Sequence, residues 1–174
     1  MTNITEVELR IISEKAVSDN YLKWLLDPEV VKYTEQRWYK QSLESITSYV
    51  KAMHESDTDF LRGIFYEGAM VGTCKVGAVN WHHRTGQISF LLGEKNVWGR
   101  GIGSFVVATL VRFAFGELNL KKLTAGVYES NISSQRVFEK NGFKIEGKLL
   151  SQIETDMGRE AAILYGLEAH DGNR

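Results

Sequence analysis

Three glycines alternate with other residues at Gly99, Gly101 and Gly103, between a predicted strand at 87–92 and a predicted helix at 104–115. The first turn of a helix leaves backbone N–H groups unpaired and carries a partial positive charge. Glycines also lack the Cβ atoms that keep an anion away from the backbone. A strand, a glycine-rich turn and a helix in this order predict a phosphate or pyrophosphate site, and a tight turn without a ligand is the alternative.

The spacing of these glycines disfavours the two common nucleotide-binding loops. A dinucleotide-binding turn has Gly-x-Gly-x-x-Gly and an acidic residue about twenty positions later. This chain has Gly-x-Gly-x-Gly followed by Ser104, and residues 121–124 (Lys-Lys-Leu-Thr) occupy the acidic position. A P-loop ends in Gly-Lys-Ser/Thr, a tripeptide that the sequence lacks. The nearby Lys95 and Arg100 are expected to add positive charge to an anion site.

Composition restricts the classes of function. The chain has 174 residues, which suits a single domain over 1–174 with a core at about 8–167 and a flexible tail at 168–174. Its 21 Lys and Arg against 22 Asp and Glu give no basic excess for DNA binding. The single cysteine, Cys74, excludes an internal disulfide and a cysteine-based zinc site, and we expect it in the core and no bound metal.

No targeting or membrane segment is predicted. The first fourteen residues carry Glu6, Glu8, Arg10 and Glu14, which a signal peptide would not. The longest apolar stretch, 105–115, is far shorter than the roughly 20 residues of a membrane span. We therefore expect a cytoplasmic protein without a membrane partner.

Hydrophobic periodicity predicts a mixed sheet with helices on its faces. The first helix should end before Pro28, because the residue preceding a proline avoids the α conformation. Ser42 is a candidate cap for the second helix. The predicted strands are 9–13, 60–66, 69–79, 87–92, 122–127, 143–154 and 160–167, and the predicted helices are 17–26, 43–53, 104–115 and 132–141.

Two motifs in this order resemble a known family. The hexapeptide 98–103 (Trp-Gly-Arg-Gly-Ile-Gly) resembles the acyl-CoA pyrophosphate loop of the GNAT superfamily of N-acetyltransferases. The segment 131–143 (Asn-Ile-Ser-Ser-Gln-Arg-Val-Phe-Glu-Lys-Asn-Gly-Phe) resembles its second signature. Residues 24–30 and 145–147 are similar to the RimJ/RimL-type branch. The resemblance implies one α+β domain with a mostly antiparallel twisted sheet of six or seven strands and about four helices.

The same resemblance implies direct transfer of an acetyl group from acetyl-CoA to a primary amine in a ternary complex. It is also compatible with a homodimer. It also implies a set of binding residues. The cofactor positions are Leu91, Leu92, Gly93, Trp98, Gly99, Arg100, Gly101, Ile102, Gly103, Ser104, Asn131, Ser134, Phe138 and Lys140, and the substrate positions are Trp24, Tyr33, Glu35, Arg37, Trp38, His82 and Tyr128. For two of these residues the sequence leaves a structural alternative. Asn131 is also a candidate helix cap, and Lys140 is also a candidate cation at a helix C-terminus.

The chain departs from this family at two catalytic positions. Phe138 stands where many members carry a tyrosine acid, and Gln87 stands where members often carry a glutamate base. Ser134 is the nearest substitute acid in the motif. The candidate bases are Glu94, His83, His82 and Glu35, and we take Ser134, Glu94 and His83 as the catalytic set. A non-catalytic CoA-binding or assembly module is the alternative function.

The missing base bears on the acceptor, because only a neutral amine attacks a thioester. A lysine-like amine with a pKa of about 10.4 is roughly 4.6 kcal/mol from its neutral form at pH 7, whereas an α-amine costs only about 1–1.4 kcal/mol. This favours a peptide α-amine or an amino sugar, while a polyamine or an antibiotic stays open. The thioester oxygen needs an N–H donor, which we expect at 91–93, just before the glycines.

Overall fold

A computed structural model describes residues 6–169 of the chain, so part of the expected tail, 170–174, lies outside it. The described chain contains a seven-stranded sheet in the order β1-β2-β3-β4-β5-β7-β6. The strands are β1 Val7–Ile11, β2 Phe60–Tyr66, β3 Ala69–Asn80, β4 Thr85–Leu92, β5 Lys122–Tyr128, β6 Lys144–Thr155 and β7 Gly158–Glu168. The helices are α1 Asp19–Leu26, α2 Pro28–Val31, α3 Leu43–Glu55, α4 Ile102–Arg112 and α5 Ile132–Lys140. The predicted mixed fold with a mostly antiparallel sheet is confirmed, with five helices rather than about four.

One junction in the sheet differs from the others. Strands β4 and β5 run parallel, whereas every other neighbouring pair of described strands is antiparallel. Their pairing covers three residue pairs and ends at Gln87 opposite Thr124. Beyond that point the two strands separate, so the middle of the sheet contains a cleft between their carboxyl ends.

Helices cover the two faces of the sheet and form two hydrophobic clusters. On one face, α4 and α5 contribute Val106, Leu110 and Phe138 to a large cluster with strand residues such as Ile88 and Leu123. On the other face, α1 to α3 form a smaller cluster around Tyr21, Trp24, Ile46 and Val50. Cys74 is buried in the larger cluster, as expected.

Capping residues set the limits of the N-terminal helices. Ser42 caps α3 through a reciprocal pair of hydrogen bonds with Ser45, which confirms its predicted role. Helix α1 ends at Leu26, before Pro28, as predicted. Pro28 then occupies the first turn of α2, since its missing N–H is unneeded there. The proline therefore separates two helices, where the sequence predicted only an end.

Helix α4 is shifted relative to its prediction. It begins at Ile102 rather than at residue 104, because Gly101 adopts a left-handed conformation and caps it. At its other end the α-helix passes into a π-helical turn at Phe113–Glu117, which includes Gly116. None of the helices described over residues 6–169 combines the length and the apolar character needed to cross a membrane.

Candidate functional site

The glycine-rich turn adopts a conformation that only glycine forms easily. Gly99 has φ +73° and Gly101 has φ +85°, both in the left-handed region. No atom lies within 4 Å of a Cβ built at Gly99, so the backbone there faces open space. The first intrahelical bond of α4 runs from the Phe105 N–H to the Gly101 carbonyl, 3.2 Å away. The N–H groups of residues 102–104 therefore precede the helical ladder and are available to an anion.

Gly103 has a packing role beside this turn. A Cβ at Gly103 would lie 3.1 Å from Cε2 of Phe90, so the absent side chain lets α4 approach β4 closely. Ser104 is partly engaged, because the side-chain amide of Asn141 donates to its hydroxyl oxygen at 3.1 Å. That bond joins the start of α4 to the end of α5, and so brings the two predicted motifs together.

The backbone of β4 presents amide groups to the cleft. The Gly93 N–H donates to the Val71 carbonyl on β3 at 2.8 Å. Because hydrogen-bonded pairs alternate along an antiparallel ladder, the N–H of Leu92 points away from β3, toward the cleft, while that of Leu91 points to β3. The Trp98 indole N–H donates to the Leu92 carbonyl at 2.9 Å, which holds the glycine-rich turn against the end of the strand. Of the predicted donors at 91–93, Leu92 is the one that faces the cleft.

Lys95 does not serve the anion site in this structure. Its ammonium group pairs with the carboxylates of Asp27 at 2.8 Å and Glu29 at 2.9 Å. The hydrogen bond with Asp27, followed by that with Glu29, raises the pKa of Lys95 to about 12. The expected contribution of Lys95 to the anion site is therefore corrected, whereas Arg100 lies exposed within the turn itself.

Glu94 and Trp24 form a structural contact between α1 and the end of β4. Oxygen Oε1 of Glu94 accepts hydrogen bonds from the Asn20 amide at 2.7 Å and from the Trp24 indole at 2.9 Å. Trp24 is 5% exposed, and a Cβ at Gly93 would lie 2.1 Å from its ring. These contacts hold Glu94 against α1 and bury Trp24 between α1 and the end of β4, so the roles of Glu94 as a base and of Trp24 in acceptor binding stay predictions.

The histidines lie at the wrong end of the sheet for catalysis at the cleft. His82 and His83 are exposed in the turn between β3 and β4, where the His83 N–H donates to the Asn80 side chain at 2.9 Å. At about 3.3 Å per residue, β4 separates them from Leu92 by roughly 25 Å. The structure does not bring the predicted base His83 or the predicted substrate residue His82 to the glycine-rich turn.

The second motif forms the first turn of α5, beside the end of β5. The Asn131 side chain accepts a hydrogen bond from the Ser134 N–H at 3.2 Å, so Asn131 is a helix cap. Ser134 is half-buried on that first turn. Lys140 lies exposed in the last turn of the helix, where a cation complements the helix dipole.

Phe138 belongs to the core. Its side chain is 3% exposed and stacks on Tyr165 with the ring centroids 5.9 Å apart, and it also contacts Phe90 and Phe143. Because other aromatic side chains enclose the ring, the predicted contact between Phe138 and a cofactor is corrected. The same enclosure suits phenylalanine better than tyrosine, whose buried hydroxyl would need a hydrogen-bond partner.

Phe138→Ala is expected to lower the free energy of unfolding by about 3–5 kcal/mol, because it removes a large buried ring and leaves a cavity. Urea denaturation followed by circular dichroism measures the change. Ile132→Ala on the same helix is the matched control, since Ile132 is 51% exposed and its loss should cost far less. Equal effects of the two changes would contradict the packing described for Phe138.

On the opposite side of the cleft, several predicted substrate residues meet the end of β5. The Tyr128 hydroxyl donates to Oε1 of Glu35 at 2.9 Å. Burial, followed by the hydrogen bond to Glu35, raises the pKa of Tyr128 to about 12, so the phenol stays protonated. Tyr33 packs its ring edge-on against Tyr128, and Arg37 stacks over the exposed ring of Trp38.

A cavity of about 510 Å³ adjoins this group between α3 and the sheet. Sequence reasoning missed its walls on β3 and β4, which include Thr73, Lys75 and Ser89. The available signal was polar residues at alternate positions of otherwise apolar strands, which mark one common face. Lys75 is neutralised by Asp59 at 2.8 Å. Among residues 6–169, no group of three or more His, Cys, Asp or Glu side chains could hold a metal ion.

Comparison with known proteins agrees with this geometry. Residues 6–144 match the family model described as an acetyltransferase (GNAT) domain. The chain is 29% identical over 146 residues to the uncharacterized N-acetyltransferase p20 of Bacillus licheniformis, covering 82% of this chain and 81% of that protein. It is 35% identical over 105 residues to the probable N-acetyltransferase YjcK of Bacillus subtilis, covering 59% of this chain and 57% of that protein.

Solved structures share the fold at low sequence identity. RimL, a ribosomal L7/L12 α-N-protein acetyltransferase in complex with coenzyme A, superposes with a TM-score of 0.85 at 19% identity, covering 94% of each chain. Spermidine N-acetyltransferase from Vibrio cholerae, in complex with CoA and spermine, gives 0.85 at 14% identity, covering 94% of this chain and 96% of that one.

Together with the family match, the cleft between β4 and β5 and the glycine-capped helix beside it identify a CoA-dependent N-acetyltransferase. The chain belongs to the acetyltransferase (GNAT) domain family, and acetyl-CoA is its co-substrate.

Proposed function

We propose that this enzyme transfers the acetyl group of acetyl-CoA directly to a primary amine in a ternary complex, and that it belongs to the RimJ/RimL-like branch of its family. The observation that carries the proposal is the cleft between β4 and β5, which ends at the glycine-rich turn. In this mechanism both substrates lie in one cleft, so no residue of the chain has to be acetylated during the reaction.

The residues present fit acetyl-CoA. No atom lies within 4 Å of a Cβ built at Gly99 or at Gly126 on β5, so the backbone at both positions is accessible to a ligand. The unpaired N–H groups at 102–104 and the charge of Arg100 suit the pyrophosphate. Asn131 and Lys140, at the two ends of α5, are proposed to contact the pantetheine arm and the adenosine phosphates.

The polar groups beside the cleft have separate proposed roles. Acetyl-CoA supplies the thioester carbonyl that the amine attacks. The Leu92 N–H is oriented to donate to the thioester oxygen, where negative charge develops. Ser134, on the first turn of α5, is proposed to hold a proton for the departing sulfur.

Glu35 is the proposed base, since it is the one of the four candidate bases that reaches the acceptor side of the cleft. Its Oε1 is held by the Tyr128 hydroxyl, which leaves Oε2 to accept a proton from an acceptor ammonium group. Because the phenol stays protonated, it remains the donor in this hydrogen bond. Glu94 is instead held against α1 by Asn20 and Trp24, and the histidines lie in the turn at the other end of β4.

An acceptor screen tests the proposed function. The purified chain is mixed with acetyl-CoA at neutral pH and with peptides, polyamines, aminoglycoside antibiotics or amino sugars, and the free CoA thiol is measured. We expect amine-dependent thiol release for at least one class, with peptide α-amines or amino sugars ahead of lysine-like amines. Tight CoA binding without thiol release for any amine would instead favour a non-catalytic CoA-binding module, to which Gln87 points.

Two further expectations from the sequence stay predictions. A homodimer is checked by light scattering on the purified chain. A cytoplasmic location is checked by fractionating cells that produce the protein.

A further inference from the structure

The segment at 33–38, which we call the strap, joins α2 to α3 and crosses to the C-terminal half of the molecule. Alternate residues of the strap each contact that half. The contacts run from the Tyr33 hydroxyl to the Ser130 carbonyl (3.4 Å), from the Tyr128 hydroxyl to Glu35 (2.9 Å) and from the Arg37 guanidinium to Asp156 (2.7 Å). The strap is therefore anchored to the end of β5, to the loop that follows it and to the β6–β7 turn.

The strap also forms one wall of the cavity of about 510 Å³, through Glu35 and Gln36. Its other walls come from α1, α3 and the strands β2, β3 and β4, and Ser89 lies on β4, the strand that borders the cleft. A cavity of this volume suits a small molecule, because ligand pockets of about 300–1,000 Å³ enclose drug-sized compounds. An extended peptide entering beside the end of β5 would meet the anchored strap.

We propose that the strap makes this enzyme select its acceptor by size, and that the acceptor is a compact polar amine rather than the terminus of a protein chain. This inference rests on the proposed function, because it concerns the amine that the cleft acetylates. Glu35 faces the ammonium group, and hydroxyl and amide groups of the cavity wall suit an acceptor with a hydroxyl- or amide-bearing body. Four of these wall residues are Gln36, Gln41, Thr73 and Ser89.

A substitution at Asp156 can break one contact of the strap without changing the walls of the cavity. Its side chain is 90% exposed, whereas that of its partner Arg37 is only 12% exposed. Asp156 is absent from the walls of the cavity and lies in the turn between β6 and β7. Asp156→Lys replaces the attraction to Arg37 by repulsion, while Asp156→Glu keeps the carboxylate.

The test compares two forms of one acceptor: the best amine of the screen, and the same amine extended by a flexible peptide of about ten residues. The wild-type protein should favour the compact form in kcat/KM by at least about tenfold. Asp156→Lys should reduce this ratio by about fivefold, through faster use of the extended form, since an exposed ion pair is a weak contact. Asp156→Glu should keep the wild-type ratio. Glu154→Lys, which breaks the ion pair with Arg159 on the same hairpin, is the matched control.

Hydrogen exchange of the strap gives a readout independent of turnover. Backbone amides at 33–38 should exchange faster in Asp156→Lys than in the wild type or in Glu154→Lys. Equal use of both acceptor forms by the wild type would overturn the inference but leave the proposed function intact, as would an unchanged ratio in Asp156→Lys. The absence of thiol release with every amine would instead overturn the proposed function, and this inference with it.

Discussion

Gly101→Val is expected to weaken the binding of acetyl-CoA by about 5- to 150-fold, because backbone strain of this kind costs roughly 1–3 kcal/mol and also misaligns the donors. Gly101 caps α4 with φ +85°, a conformation that a β-branched residue strongly disfavours. To relieve the strain, the backbone has to rotate, and the N–H groups at 102–104 turn away from a bound anion. Isothermal titration calorimetry with CoA measures the loss directly.

Gly116→Ala is the matched control for this change. Gly116 lies beyond the other end of α4, and a Cβ there meets no atom within 4 Å, so CoA affinity should be unchanged. Thermal denaturation of both variants without ligand separates a binding defect from a folding defect. Wild-type affinity in a folded Gly101→Val protein would contradict the assignment of the anion site to this turn.

Glu35→Gln is expected to lower kcat/KM at pH 7 by about 100-fold, within the range typical of a lost general base. The amide cannot accept the proton that an acceptor ammonium group has to lose. As the pH rises past the pKa of the acceptor amine, the free amine becomes abundant and the base is needed less. The deficit of the variant should therefore shrink with increasing pH, which a pH profile of kcat/KM for both proteins measures.

The control for Glu35→Gln is Glu44→Gln, which removes one exposed carboxylate from the first turn of α3. Tyr128→Phe adds a second comparison, because it removes the hydrogen bond to Glu35 but keeps the carboxylate, and should cost less than Glu35→Gln. If the deficit of Glu35→Gln were the same at every pH, Glu35 would position the acceptor and would not take its proton.

The parts of this structure that sequence reasoning predicted well depend on local patterns. The strand at Phe60–Tyr66 and the cap at Ser42 follow from residues within a few positions of each other. The left-handed glycines of the phosphate turn are equally local, because the conformation is a property of the residue itself. The family resemblance adds the approximate number of strands and their mostly antiparallel pairing, whereas the order of the strands comes from the structure.

The features that the sequence does not predict depend on partners distant along the chain. Lys95 pairs with carboxylates more than sixty positions earlier, and Glu94 accepts a hydrogen bond from a tryptophan seventy positions earlier, so neither contact leaves a local signal. The sequence predicts His83 as a base, but it cannot show that the turn before β4 lies at the opposite end of that strand from Leu92. The cavity is lined by α1, the segment 34–41, α3 and the three strands β2, β3 and β4, and only the folded chain brings these six segments together.

The short parallel junction of β4 and β5 gives the sheet an internal edge. Edges normally lie at the outside of a sheet, where unpaired strands invite association with other chains. Here the unpaired amides of β4 lie beside β5 of the same molecule, inside the sheet rather than at its outer edge. Bound acetyl-CoA would cover this edge, and each release of CoA would return the amides of β4 to water.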